Sequence, residues 1–261
     1  MKHDLTYQGA YHLSYAEYGD KNGYPLLIQH GLIASIDDHE LFRRLTQSGV
    51  RLICMARPGY GGSSPYVMKS YAEWADLTAA LVQELQLEQF DILGMSSGAP
   101  YGYAIAYKFP EKVRNLFIFS GIPALYDEIV LSLWPFAPIL NKTLPELQDM
   151  AHRFFFSGLA EADLERNDIR DSLMNNGFGV AQDLGLRFMD WGFRLSEVKA
   201  NVFMRHSKAD DAVPYQAAVR TAQLLPNCQL ELLETGPHFS EAALDDFIRE
   251  RMLSKMQAGE K

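Results

Sequence analysis

Cysteine is scarce in this chain of 261 residues, which contains only Cys54 and Cys228. Two cysteines in separate apolar runs, without other residues at a metal-ligand spacing, exclude a disulfide scaffold and give no sign of a metal site. We therefore expect two buried thiols, a reducing compartment, and neither a metal nor another cofactor.

The chain also lacks any apolar run long enough to span a membrane, and its first residues do not form an apolar signal segment. Positive charge is in deficit, since the formal net charge is -9. An acidic protein is a poor match for nucleic acid or for an anionic membrane. The expected location is therefore the cytoplasm and the expected partner is a small-molecule substrate. The oligomeric state stays open.

What the chain does contain is a regular alternation of short apolar runs with helix-prone segments. Hydrophobic residues make up 48% and charged residues 22%, as in a soluble globular protein. Buried strands are predicted over residues 25–29, 50–55, 90–95, 113–120, 201–206 and 229–233. Their alternation with helices predicts an α/β fold with a mostly parallel sheet covered on both faces.

The alternation stops between residues 122 and 199, where helix-compatible pieces occur without a convincing strand. These helix-compatible pieces include residues 144–156 and 160–174. About a third of the large aromatic side chains of this segment are expected to face a pocket; they are Trp134, Phe136, Phe154, Phe155, Phe156, Phe178, Phe188, Trp191 and Phe193. Residues 122–199 are thus predicted to form a helical lid inserted into a core of residues 1–121 and 200–261.

Two local patterns give further expectations. The alternating run 11–18, followed by turn-forming residues at 19–23, predicts an antiparallel hairpin at a sheet edge. Ser70 and Glu73 have the spacing of a capping box, which predicts that a helix starts at Tyr71.

The stretch Gly94-Met95-Ser96-Ser97-Gly98 joins the predicted strand 90–95 to a helix-prone segment. So sharp a turn strains the residue at its apex, and glycine on either side leaves room for it. The Ser96 hydroxyl would then stand at the carboxyl edge of the sheet, before a helix N-terminus with free N–H groups. The pentapeptide alone also suits an ordinary strand-to-helix turn, so the other candidate residues decide its interpretation.

A serine nucleophile needs a base, and the base needs a carboxylate that orients it. His238 follows the last predicted strand, while Asp210 and Asp211 follow the strand over 201–206. All three are expected at the edge of the sheet where Ser96 lies. Histidine suits proton transfer near pH 7, and one of the two aspartates is predicted to be the acid.

An anionic tetrahedral intermediate also needs preorganised hydrogen-bond donors. The backbone N–H of Ser97, directly after the nucleophile, is one candidate. The second is expected in the loop after strand 25–29, where Gly31 permits a close turn; Leu32 is the first choice and Ile33 the alternative. His30 is expected to brace this loop.

Together these stretches resemble the α/β-hydrolase superfamily over nearly the whole chain. The resemblance implies the α/β-hydrolase fold, Ser96 as nucleophile, Asp210 as acid and His238 as base, in that chain order. It also implies the oxyanion donors Leu32 and Ser97, and a lid between the sixth and seventh core strands. The matching pieces are His30-Gly31, Arg57-Pro58-Gly59-Tyr60-Gly61-Gly62-Ser63, Gly94-Met95-Ser96-Ser97-Gly98, Asp210-Asp211-Ala212-Val213-Pro214 and Gly236-Pro237-His238-Phe239.

The predicted function is a serine hydrolase that acts on a small, largely apolar carboxylic ester through an acyl-enzyme. Several relatives with the same triad stay open: a proline iminopeptidase, a thioesterase, a carbon–carbon bond hydrolase, a perhydrolase, an acyltransferase and a weakly catalytic ligand receptor. An aminopeptidase would need carboxylates for the substrate ammonium, for which Glu161, Asp163 and Glu165 are available. Ser207 departs from the family pattern, which usually has glycine there.

Overall fold

The computed structural model describes residues 2–7 and 9–257. Strands in this part of the chain form one eight-stranded sheet in the order β1-β2-β4-β3-β5-β6-β7-β8. Pairing is antiparallel between β1 and β2 and between β2 and β4, and parallel elsewhere, which confirms the predicted mostly parallel sheet. The strands are Lys2–Tyr7 (β1), Tyr11–Gly19 (β2), Tyr24–Gln29 (β3), Val50–Met55 (β4), Phe90–Met95 (β5), Val113–Phe119 (β6), Asn201–Ser207 (β7) and Cys228–Leu233 (β8).

Helices cover both faces of the sheet. Leu27 and Ile53 point into one buried cluster with α2 and α3, whereas Leu26 and Leu52 point into a second with α1 and α8. None of the helices within residues 2–7 and 9–257 is both long and apolar enough to cross a membrane. The α-helices are Arg43–Gln47 (α1), Tyr71–Glu84 (α2), Ala99–Lys108 (α3), Glu128–Ser132 (α4), Leu144–Ala151 (α5), Asn167–Leu186 (α6), Tyr215–Gln223 (α7), Glu241–Phe247 (α8) and Leu253–Gln257 (α9).

The antiparallel hairpin predicted at the turn 19–23 is wrong, because β2 does not pair with β3, the strand that follows this turn. β2 pairs with β1 on one side and with β4 on the other, while β3 lies beyond β4. The turn at 20–23 therefore leads from one part of the sheet to another. β1 gives a weak sequence signal because it is half-exposed and polar, with the sequence KHDLTY.

The predicted capping box is also wrong, although α2 does begin at Tyr71. The Ser70 side chain makes no capping hydrogen bond, and Glu73 accepts a hydrogen bond from the N–H of Lys69 instead. Burial of an apolar face, which includes the fully buried Trp74, holds this helix in place without the box.

Between β6 and β7 the described chain forms helices and turns and no strand. The helix-compatible stretch 160–174 is helical but does not form one helix: a 3₁₀ turn over Glu161–Glu165 comes first, and α6 starts at Asn167. α6 is interrupted at 174–177, where Asn175, Asn176 and Gly177 have φ of 53°, 58° and 67°. Asparagine and glycine are the residues that best tolerate this left-handed conformation, so the interruption agrees with the local sequence.

Candidate active site

Ser96 lies at the turn between β5 and α3 and has a φ of 48°, a strained value for a residue with a side chain. The neighbouring glycines explain how the turn is accommodated. A Cβ on Gly98 would lie 2.0 Å from the carbonyl oxygen of Gln29 in β3, and one on Gly94 would lie 3.1 Å from the Cα of Ala99. Gly98 is therefore required by the close approach of two backbones.

Three of the predicted site residues form a continuous chain of hydrogen bonds. The Nε2 atom of His238 lies 2.8 Å from the Ser96 hydroxyl, and its Nδ1 atom lies 2.8 Å from a carboxylate oxygen of Asp210. Because an ionised carboxylate only accepts, Nδ1 carries the proton and Nε2 presents a lone pair to the hydroxyl. The arrangement can take the serine proton and stabilise the resulting imidazolium.

The Asp210 carboxylate is fully buried and held by its own loop. Its Oδ1 atom accepts the N–H groups of Ala212 and Val213 at 2.9 and 2.8 Å, and the Nε2 atom of His206 lies 3.2 Å from Oδ2. Burial acts to raise the pKa of Asp210, but the hydrogen bonds from His238 and the two backbone groups outweigh it. The pKa therefore lies below its ordinary value, and the acid is ionised at neutral pH.

Asp211 and Ser207 flank the acid and have different roles. The exposed Asp211 accepts the backbone N–H of His238 at 3.3 Å, so its carboxylate faces the main chain and not the imidazole nitrogens. The Ser207 hydroxyl donates to the carbonyl of Gly236 at 2.7 Å. The residue that departs from the family pattern thus ties the acid loop to the histidine loop.

The loop after β3 is held by a buried arginine. The Arg57 guanidinium donates to the carbonyls of His30 and Gly31 at 2.6 and 2.8 Å, and the Tyr60 hydroxyl donates to the carbonyl of Leu32 at 2.8 Å. In a trans peptide the N–H points opposite to the carbonyl, so fixing the Gly31 carbonyl also fixes the direction of the Leu32 N–H.

Gly31 was expected to permit a close turn, but the backbone at this position does not require glycine. Its φ lies outside the left-handed region, and an added Cβ would meet only the Cβ of Ser96, at 3.9 Å. His30 braces the loop as expected, since its Nδ1 atom donates to the Gly31 carbonyl at 2.9 Å. Burial and the neighbouring Arg57 both lower the pKa of His30, so the ring is neutral.

Arg57 is in turn paired with Asp183 of α6, a residue that the sequence reasoning missed. The two side chains are 2.6 Å apart and almost completely buried. The Tyr101 hydroxyl also donates to Asp183, and the Tyr60 hydroxyl shares its single proton between Asp183, at 2.9 Å, and the carbonyl of Leu32. The signal that could have revealed it is a charged residue between the apolar Val180-Ala181 and Leu184. Because Arg57 also donates to the carbonyls of the loop after β3, this ion pair connects the segment between β6 and β7 to that loop.

A cavity of about 1720 Å³ opens at the site, with Ser96, His238 and Leu32 on its wall. Of the nine large aromatic residues singled out between β6 and β7, five line it, more than the expected third: Trp134, Phe136, Phe154, Phe155 and Phe188. The other four are buried: Phe156, Phe178, Trp191 and Phe193. Glu161, Asp163 and Glu165 are not among the lining residues, so none of them is placed to hold a substrate ammonium.

The chain belongs to the α/β-hydrolase family, since the family model described as the alpha/beta hydrolase fold matches residues 24–240. It is 27% identical over 205 residues to an uncharacterised hydrolase of Bacillus subtilis, covering 69% of this chain and 71% of that protein. It is 26% identical over 210 residues to a 2-hydroxy-6-oxononadienedioate/2-hydroxy-6-oxononatrienedioate hydrolase of Pseudomonas putida, covering 76% and 73% of the two chains.

Solved structures agree with this fold. An esterase from Exiguobacterium antarcticum superposes with a TM-score of 0.72 at 18% identity, covering 98% of this chain and all of that one. A meta-cleavage product hydrolase from Pseudomonas fluorescens superposes with a TM-score of 0.68 at 15% identity, covering 99% and 98% of the two chains. At such identities the likeness establishes the fold alone.

Proposed function

We propose that the protein is a serine hydrolase that cleaves a small carboxylic ester through an acyl-enzyme on Ser96. The observation that carries this proposal is the hydrogen-bonded chain from Ser96 through His238 to the buried Asp210, at the wall of a large cavity. Free serine is a weak nucleophile, and this arrangement supplies the base that activates it.

In the first half-reaction, His238 Nε2 takes the proton of Ser96 as its oxygen attacks the ester carbonyl. The imidazolium is stabilised by Asp210 and then gives this proton to the departing alcohol. In the second half-reaction His238 activates a water molecule, which attacks the acyl-enzyme and releases the carboxylic acid. Atoms balance as one ester and one water giving one acid and one alcohol.

The negative oxygen of each tetrahedral intermediate would be held by the backbone N–H groups of Leu32 and Ser97. The carbonyl contacts of Arg57 and Tyr60 support this assignment, because they fix the loop before substrate arrives. Residues 122–199 act in this proposal as a lid, whose aromatic side chains form an apolar wall and exclude water from the acyl-enzyme.

The direct test is turnover of p-nitrophenyl acetate and butyrate by the wild type and by Ser96→Ala. We expect the variant to lose turnover while keeping its circular dichroism spectrum and thermal unfolding midpoint. Activity near that of the wild type in a folded Ser96→Ala protein would refute the mechanism.

A carbon–carbon bond hydrolase is the second candidate, because several curated relatives at 23–28% identity are named 2-hydroxy-6-oxononadienedioate/2-hydroxy-6-oxononatrienedioate hydrolases. Assaying 2-hydroxy-6-oxononadienedioate beside the esters separates the two. A fluorophosphonate probe together with multiple-turnover kinetics distinguishes a weakly catalytic receptor. Such a receptor would be labelled at Ser96 by the probe, yet it would turn over any ester once or very slowly.

A further inference from the structure

Arg187 is a cation beside the candidate nucleophile. It has no role in the proposed ester hydrolysis. It directly follows α6, it lines the cavity, and its Nη2 atom donates to the Ser97 hydroxyl at 2.7 Å. Ser97 is the neighbour of Ser96 in the chain, and adjacent Cα atoms are about 3.8 Å apart. The guanidinium therefore lies beside the turn that carries the candidate nucleophile.

Among the described residues, no carboxylate lies within ion-pair distance of Arg187, and its buried Nε atom has no hydrogen-bond partner. The other arginines that line the cavity differ in this respect. Each of them has a carboxylate partner at 2.5 or 2.6 Å: Arg43 with Glu40, Arg44 with Asp245, and Arg166 with Asp168.

The acid that could neutralise Arg187 is already engaged. Asp183 contacts Arg57 at 2.6 Å and accepts hydrogen bonds from two tyrosine hydroxyls. The phenols around Arg187, of which Tyr71 is one, are neutral because burial raises their pKa values.

The cluster formed by Arg57, Arg187 and Asp183 thus contains two guanidinium groups and one carboxylate. Burial lowers the pKa of Arg187, yet an arginine side chain stays protonated in proteins. Buried charges are normally paired, so this cluster lacks one negative charge, and the group without its own partner is Arg187.

We propose that Arg187 is an anion subsite and that the substrate carries a carboxylate, which this guanidinium binds while the scissile carbonyl lies at Ser96. The inference deepens the proposed function and rests on it. Arginine suits the role because its planar fork matches the two oxygens of a carboxylate. Monoesters of short dicarboxylic acids, and esters with a carboxylate on the leaving group, have the required spacing of a few bonds.

Two matched ester pairs test the subsite. In the first pair, p-nitrophenyl hemiglutarate carries a carboxylate on its acyl group and p-nitrophenyl pentanoate is its neutral counterpart. In the second pair, 4-acetoxybenzoate carries a carboxylate on its leaving group and phenyl acetate is its neutral counterpart. The measured quantity is the ratio of kcat/KM for the anionic ester to that for the neutral ester. We expect the wild type to prefer the anionic member of one pair, and Arg187→Met to lower that ratio about 10- to 100-fold, as for a lost hydrogen bond to a charged group.

Arg187→Lys keeps the charge without the fork, so it should retain part of the preference. Arg166→Met is the matched control, because Arg166 lines the same cavity but is already paired with Asp168; its ratio should stay within twofold of the wild type. An unchanged ratio in Arg187→Met, or a wild type that prefers the neutral member of both pairs, would overturn the proposal. Thermal unfolding checks that each variant folds.

Binding of glutarate to Ser96→Ala, measured by calorimetry, separates this inference from the proposed function. If glutarate binds and adding Arg187→Met weakens it at least tenfold, the subsite stands even when no ester is hydrolysed. If esters are hydrolysed without charge preference and glutarate does not bind, the hydrolase stands and the subsite is wrong.

Discussion

Asp210 and Asp211 are neighbours in the chain, but only Asp210 contacts the imidazole nitrogen of His238. We expect Asp210→Asn to lower kcat for p-nitrophenyl butyrate about 10⁴-fold, because an amide no longer holds the Nδ1–H tautomer. Asp211→Asn is the matched control and should change kcat less than tenfold. Steady-state kinetics on the two folded variants decide the matter, and equal losses in both would show that the acid has been misassigned.

Gly98 and Gly31 make a second matched pair, with free energy of unfolding as the readout. Gly98→Ala places a Cβ 2.0 Å from the Gln29 carbonyl oxygen, and neither backbone can move easily, so we expect a loss of about 3 kcal/mol or more. Gly31→Ala places its Cβ at an ordinary contact distance from Ser96, so the change should stay under about 1 kcal/mol. Urea denaturation measures both, and a tolerated Gly98→Ala would contradict the steric argument.

Sequence reasoning could place Ser96, Asp210 and His238 at one edge of the sheet because each follows a predicted parallel strand. It could not place Asp183 or Arg187. Both belong to the segment between β6 and β7, where helical periodicity tells which residues share a face but not which part of the core that face meets.

At the scale of elements, α6 is joined to the core by the buried pair of Asp183 and Arg57. Asp183→Asn removes the charge while preserving the shape of the side chain, and it leaves the guanidinium of Arg57 buried without its partner. We expect a loss of about 3–5 kcal/mol of unfolding free energy, measured by urea denaturation.

Asp190→Asn provides the control for this variant. Asp190 pairs with Arg194 at 3.0 Å, and both side chains are more than half exposed, so the cost should be under about 1 kcal/mol. A loss of similar size in both variants would mean that burial does not determine the strength of the Asp183 pair.

Elements were predicted well where one strong physical signal dominates. β5 and α3 are almost wholly buried, and their apolar sequences are unambiguous. β1 was missed and the capping of α2 was predicted wrongly because several weak local signals compete there, and tertiary contacts decide between them. The interruption of α6 at 174–177 follows the same rule, since its asparagines only permit a break that packing then selects.

For the whole molecule, the order of the strands explains why residues 142 positions apart touch, as Ser96 and His238 do. Ser96 follows β5, Asp210 follows β7 and His238 follows β8, and these strands are parallel within one half of the sheet. Their carboxyl ends therefore meet along one edge, which is where ligands bind in open α/β sheets.

The reactivity of the two free thiols can show how cooperatively this sheet unfolds. Burial raises the pKa of Cys54 and of Cys228 to about 12. At pH 8 only about one thiol in 10⁴ is then ionised, and the thiolate is the reactive form. We expect Ellman's reagent to label neither cysteine of the native protein quickly, and to label both after unfolding in urea.

The two cysteines should differ in how they become reactive. Cys228 begins the edge strand β8 and is half-buried, so local fraying exposes it; Cys54 lies inside the sheet in β4 and needs global unfolding. In Cys228→Ser, the labelling rate of Cys54 should therefore rise with urea as steeply as the unfolding equilibrium does. Since both pKa values are raised in the folded state, the stability that the thiols contribute is complete below about pH 8.5 and is lost as the pH rises towards 12. Rapid labelling of Cys54 in the native variant at pH 8 would contradict this account.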